Sequence, residues 1–273
     1  MIVEKKEGQN IVLTIEARMG STRLPGKVLK PLAGVPLLQQ LINRVKYAKH
    51  VDKIVLATTT NKADDVLEGI AIELGIDFFR GSEEDVLGRL AGALKAFKAD
   101  VVVSLTGDNP LIDPILIDDM IRFFYKGNYD YVSNAHMQHT DLWEAERTFP
   151  IGLGVQVYKS SILLEIDEKI KKMDIREHPT FAIYHRHDNK YKLGAFSATG
   201  KYRKWNHSEL RLTIDTEEDY KLISSIFEKL SLLKSNFSTL EAIKLLLNNP
   251  SLRSINKNVE QKIVYKERNI NAS

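Results

Sequence analysis

Residues 17–28 read A-R-M-G-S-T-R-L-P-G-K-V, which gathers two glycines, two arginines, a lysine and two hydroxyls in one short stretch. Backbone N–H groups of a glycine-bearing turn, backed by cationic side chains, suit a bound polyphosphate. The spacing is not that of a Walker A loop: five residues separate Gly20 from Gly26, and Val28 rather than Ser or Thr follows Lys27. No G-x-G-x-x-G is present in the stretch either. A plain basic surface loop is the competing reading. Against it stands the position of the loop, directly behind an apolar, β-branched run.

Two aspartates far apart in the chain have comparable settings. Asp108 lies in T-G-D-N-P, just beyond the apolar run Val101–Leu105, and Asp215 follows Arg211–Ile214. Taken alone, each is open to reading as a turn residue or a helix cap. The chain has no cysteine, so disulfides, thiolate chemistry, Cys-bound zinc and iron–sulfur clusters are excluded. Any metal here must be held by harder donors.

These residues need a scaffold. Strands are expected over Ile11–Ala17, Lys53–Thr58, Phe78–Arg80, Val101–Leu105, Tyr129–Ser133, Gly154–Tyr158, Tyr191–Ala198 and Leu210–Thr213. Helices are expected over Pro36–Ala48, Ala63–Leu74, Val86–Phe97, Asp113–Tyr125, Ser160–Lys171, Glu177–His185, Glu217–Leu230 and Thr239–Leu247. Ser238 with Glu241 reads as a capping box for the last of these. Alternation of strands and helices implies an α/β fold with a doubly wound, mostly parallel sheet. Such sheets bind ligands at the carboxyl ends of their strands, which is where the loop and Asp108 fall. One domain over residues 1–250 is expected, with an irregular lobe at about 134–210 and a loosely held, Asn- and Lys-rich tail over 251–273.

The segment E-A-R-M-G-S-T-R-L-P-G-K-V-L resembles the signature of the cytidylyltransferases that activate sugars, in particular a branch serving spore-coat polysaccharide. Synthetases of CMP-sialic acid and of CMP-KDO (3-deoxy-manno-octulosonate) are relatives of that branch. Further segments fit it in order: 57–65 (ATTTNKADD), 80–89 (RGSEEDVLGR), 106–113 (TGDNPLID), 133–134 (SN), 176–180 (REHPT) and 211–219 (RLTIDTEED). The resemblance implies that Arg18 and Lys27 neutralise the triphosphate of CTP, with amides near Ala17, Gly20 and Ser21 adding hydrogen bonds. It implies nucleotide contacts from Arg80, Arg89 and Thr106, and Mg²⁺ held by Asp108 and Asp215. For Arg89, pairing with Glu83 or Glu84 is the structural alternative. Acceptor contacts are expected from Asn134, Gly152, Gln156, Glu177 and His178. The chain departs from the family's P-x-G-x-D-x-E pattern, because residues 150–156 read P-I-G-L-G-V-Q: Gly154 and Gln156 stand where two acids are usual. Cytosine recognition does not follow from these residues.

The expected reaction is transfer of CMP from CTP to a sugar or sugar-like acid with release of pyrophosphate. A metal-dependent glycosyltransferase is the enzymatic rival, although Asp108-Asn109-Pro110 is not D-x-D. A nucleotide-binding protein without acceptor chemistry is the second rival, motivated by Gly154 and Gln156. The net charge of +3 over 273 residues is too small to argue for nucleic acid or membrane. No secretory signal or spanning segment is legible, so a cytoplasmic protein is expected, and the resemblance implies a homodimer. His185–Asp188, His136 and His139 read as surface, and Trp143 and Trp205 as packing, interface or binding platforms.

Overall fold

The computed structural model describes residues 8–135, 147–184, 190–234 and 236–261. Its centre is a seven-stranded sheet in the order β5-β4-β1-β6-β8-β7-β9. β1 (Ile11–Glu16) is flanked in parallel by β4 (Lys53–Thr59) and β6 (Val101–Thr106). β2 (Pro31–Leu32) and β3 (Val35–Pro36) form a separate small hairpin, and β5 (Asp77–Gly81) extends the parallel run beside β4. β8 (Gln156–Lys159) is the reversed strand, antiparallel to both β6 and β7 (Tyr131–Ser133), while β9 (Leu193–Ala195) pairs with β7 in parallel at the edge.

Both faces are covered. β1 sends Leu13 and Ile15 into one core and Val12 into another, as period-two alternation requires. The first core holds apolar residues of α1 (Leu37–Val45), α2 (Asp65–Glu73), α4 (Pro114–Gly127), α8 (Glu217–Ser231), α9 (Thr239–Leu247) and α10 (Pro250–Arg253). On the other face lie α3 (Val86–Ala96), α5 (Ser160–Lys169) and two short helices, α6 (Met173–Arg176) and α7 (Phe181–Tyr184). Arg44 of α1 is buried and donates to the carbonyls of Ile112 and Phe237, tying α1 to the segment after β6 and to the start of α9.

Three local expectations differ from the structure. Of the helix expected over Glu177–His185 only α7 forms among the described residues, separated from α6 before it, because Pro179 has no N–H and disfavours helical backbone at His178. Glu177–Thr180 therefore forms a turn at the sheet's ligand-binding edge. Leu210–Thr213 is no strand. A single bridge, Ile151 to Arg211, replaces a ladder, and the segment is pinned by Ile151 N–H to Leu210 O and Ile214 N–H to Asp108 O. The stretch after Pro250 is held through residue 261: it forms α10, and Asn256 is buried.

The stretch expected as a lobe contributes β8 and β9 to the main sheet and α5–α7 to one face. Trp205 is a packing residue, buried against Phe149 and Tyr202. His136, His139, Trp143 and His185–Asp188 lie outside the described residues.

Candidate active site

The glycine-bearing loop leaves β1 and folds back on itself. Met19 O accepts from the N–H groups of Ser21 and Gly26, and Gly26 sits at φ +67, where a side chain would be strained. The loop is tethered to the β4–α2 connection, since Met19 N–H donates to Asp64 Oδ1 at 2.7 Å and Asp64 is itself held by Thr59. Gly20 lies against Glu83, whose carboxylate pairs with Arg18 at 3.2 Å; a Cβ at Gly20 would come within 2.7 Å of it.

From this loop Lys27 reaches between the two aspartates. Its Nζ donates to Asp108 Oδ2 at 2.8 Å, Asp215 Oδ1 at 2.9 Å and the Ile214 carbonyl at 2.7 Å. Burial alone would lower the pKa of this ammonium, yet the Asp108 and Asp215 carboxylates outweigh burial and hold it above its ordinary value. Asp215 also meets Arg23 at 2.9 Å and Arg211 Nη2 at 2.6 Å. Burial would raise its pKa, but Lys27, Arg23 and Arg211 keep it below the usual carboxylate range. Asp215 is not a helix cap: Thr216 caps α8, in a capping box with Asp219. Asp108 accepts from Thr106 Oγ1 at 2.7 Å, and Thr106 accepts in turn from Asn109.

Behind Asp215 lies a buried clamp. Arg211 is forked onto the fully buried Asp219, with Nε donating at 2.9 and 3.1 Å. Asn256 donates to both Asp219 Oδ1 and Arg211 O, and Gln261 accepts from Arg211 Nη1. Burial would lower the guanidinium's pKa, but Asp219 and Asp215 raise it.

A cleft of about 660 Å³ opens above these groups, and it is lined by Ala17, Arg18, Ser21, Lys27, Arg89, Thr106, Asp108, Gln156, Glu177, His178 and Asp215 among the expected residues. Arg89 is buried and donates to the carbonyls of Ser82 and Glu83, not to their side chains or that of Glu84. Four expected residues stand apart from this cleft. Gly20 shapes the loop without lining it. Arg80 turns away, with its guanidinium bound to the carbonyls of Thr59 and Asn61 and to Asp65 and Glu68. Asn134 is fully buried, bridging Leu153 O and Val155 N–H. Gly152 sits at φ +93 with a Cβ position 2.4 Å from Thr213 N, so its role is close backbone packing beneath Asp215. Gly154 is half-buried beside Ala135 and does not line the cleft.

Sequence reading passed over two contributors. Glu16 lines the cleft at the end of β1, and its signal was the single ionisable residue in the strand. The Arg211–Asp219 clamp sits inside a quoted motif, but only the fold reveals Asp215 as its partner, shared with Arg23 of the loop.

A family model described as Cytidylyltransferase matches residues 12–268. The chain belongs to that family. The cytidylyltransferase is 38% identical over 249 residues to the spore coat polysaccharide biosynthesis protein SpsF of Bacillus subtilis, covering 88% of this chain and 95% of that protein. A solved cytidylyltransferase from Leptospira borgpetersenii superposes with a TM-score of 0.80 at 32% identity, covering 93% of this chain and 99% of the other. Over 120 residues, 42% of this chain and 47% of the relative, it is 38% identical to 8-amino-3,8-dideoxy-manno-octulosonate cytidylyltransferase of Shewanella amazonensis.

Proposed function

We propose that this cytidylyltransferase couples CMP from CTP to a hydroxyl of a sugar acid, for polysaccharide biosynthesis, with Mg²⁺ held by Asp108 and Asp215. The observation that carries the reading is the meeting of two carboxylates, drawn from segments 107 residues apart, on the ammonium of the phosphate loop. The names of SpsF and the Shewanella enzyme support the acceptor class and the pathway.

The donor set fits a magnesium ion. Both groups are hard carboxylates, and no group of three or more His, Cys, Asp or Glu that could hold a metal occurs among the described residues. Mg²⁺ commonly takes one or two carboxylates and completes its shell with substrate phosphates and water. When bound, the ion supplies Lewis-acid neutralisation of the phosphoryl charge.

The chain's own groups do the rest. Arg18, Arg23 and Lys27 surround the triphosphate with positive charge, and Lys27 exchanges its carboxylate partners for phosphate oxygens as CTP enters. Thr106 orients Asp108, and Arg211 orients Asp215. The acceptor oxygen forms a bond to the α-phosphorus, the bond from that phosphorus to the pyrophosphate oxygen breaks, and the hydroxyl proton passes to solvent. No covalent enzyme intermediate is required, because alignment and charge stabilisation supply the acceleration. Gln156, Glu177 and His178 face the acceptor.

Pyrophosphate release with CTP, compared with ATP, GTP and UTP across a panel of sugar acids, tests the reading. Asp108→Asn should abolish magnesium-dependent release, and unchanged turnover would sink the metal assignment. The reading includes a homodimer working in the cytoplasm, supported by the family resemblance alone; a monomer by light scattering removes the dimer. Among the described residues no helix is long and apolar enough to cross a membrane.

A further inference from the structure

The floor of the cleft is a row of polar side chains on one face of three adjacent strands. Thr14 pairs with Ser104, Glu16 with Thr106, and Ser104 with Gln156, so Thr14, Ser104 and Gln156 run side by side across β1, β6 and β8, with Glu16 diagonal to Ser104 on the same face. Ser104 Oγ donates to Glu16 Oε1 at 3.1 Å, and the Gln156 amide oxygen accepts from Tyr131. Glu16 is mostly buried, yet it lines the open cleft, and its carboxylate has only this one hydrogen bond among those described. A carboxyl so placed retains lone pairs for a donor arriving from the cleft. Arg89 lies nearby without bonding to it, and burial lifts the Glu16 pKa above the ordinary carboxylate range more than Arg89 and Ser104 lower it. A sheltered acid of this kind is costly to leave without a partner.

An ionised Glu16 disfavours phosphate as that partner, because like charges repel. Glu16 shares the cleft with the cations of the phosphate loop, and through Ser104 it neighbours Gln156, with the Glu177–Thr180 turn lining the same cleft. We infer that Glu16 is a specificity-determining residue for the acceptor, its carboxyl receiving a hydrogen bond from a hydroxyl or ammonium group of the sugar. The inference rests on the proposed sugar-acid reading and assigns a residue to that reading's least determined substrate. The amino group of cytosine and the ribose hydroxyls of CTP are the other substrate donors within the reaction, so the test must separate nucleotide from acceptor.

Steady-state pyrophosphate release would be measured for the wild type, Glu16→Ala and Glu16→Gln, with 3-deoxy-manno-octulosonate and its 8-amino-3,8-dideoxy analogue as acceptors. CTP affinity and thermal melts would be measured on the same proteins. Glu16→Ala should raise the acceptor KM about tenfold or more while the CTP Kd and melting midpoint stay near wild type. Glu16→Gln keeps a carbonyl acceptor but loses charge. It should raise KM about threefold where a hydroxyl is read and about tenfold where an ammonium is read. A CTP Kd that rises in step, or a loss confined to kcat, overturns the assignment. A wild type inactive with both acids and with the wider sugar-acid panel overturns the acceptor reading and this inference with it. An active wild type with an unmoved Glu16→Ala KM overturns this inference alone.

Discussion

Replacing Lys27 with Met removes the ammonium while keeping the length of the side chain. Three charge-assisted hydrogen bonds vanish, at 2.7, 2.8 and 2.9 Å, and two carboxylates are left facing one another. Removing one partner of a buried pair costs about 3–5 kcal/mol. Two features reduce that figure. The Asp108 side chain is 22% exposed, and Asp215 keeps Arg23 and Arg211 as partners. A loss of about 1–3 kcal/mol remains, which for a chain of this size lowers the melting midpoint by about 2–10 °C. The vacated carboxylate pair should then bind divalent cations without nucleotide. Ligand at a hundredfold excess over its Kd contributes about 2.7 kcal/mol, enough to restore the midpoint. The wild type, whose carboxylates are already neutralised by Lys27, should respond weakly to Mg²⁺ alone. Differential scanning fluorimetry with and without millimolar Mg²⁺, before CTP is added, reads both effects, and kcat/KM for CTP should fall about 10²–10³-fold. Equal magnesium stabilisation of wild type and variant would refute the account of Lys27 as the group that holds the carboxylates together at rest.

Asp219→Ala leaves the buried Arg211 guanidinium with Asp215 and Gln261 alone and, below the full cost of breaking a buried pair, should cost about 2–4 kcal/mol by denaturant titration, with Asp219→Asn costing less. Gly152→Ala places a Cβ 2.4 Å from Thr213 N at φ +93, so it should destabilise by about 2 kcal/mol or more and lower activity by shifting Asp215. Asp85 caps α3 and pairs with Arg176. Burial would raise its pKa, but the bonds from Arg176 and Gly88 lower it. A depressed carboxyl stabilises the fold above its unfolded pKa and loses that contribution as pH falls through the folded value. The stability gap between wild type and Asp85→Asn should therefore be full at neutral pH and shrink below about pH 4, as followed by urea midpoints across pH.

The central strands and most helices were legible because their apolar residues recur at a period that only one element satisfies. Val101–Val103 is buried on both faces and reads as a continuous apolar run; Thr239–Leu247 carries its own capping box. Glu177–His185 was misjudged because local helical spacing competes with Pro179, and the proline wins. Leu210–Thr213 has the alternation of a strand, but its neighbours are single residues, Ile151 and Asp108, brought there by the fold. In the site, Lys27, Asp108 and Asp215 announce themselves by sitting behind strands or strand-like runs. Arg80 also sits at a strand end, and its turn toward Asp65 and Glu68 depends on side-chain direction that spacing does not encode. Glu16 was hidden for the opposite reason, as a single acid in a run that otherwise reads as core.

The clamp behind Asp215 draws on residues well past the sheet, because Asn256 and Gln261 secure Arg211 and Asp219. Competence for nucleotidyl transfer is thus tied to the seating of a segment that contributes no strand: a polypeptide that has folded its sheet but not yet docked residues 256–261 cannot hold Asp215 firmly. Proteolytic cleavage just ahead of Asn256 would act in the same manner. It would leave a chain that still resembles the enzyme by circular dichroism while its catalysis fades.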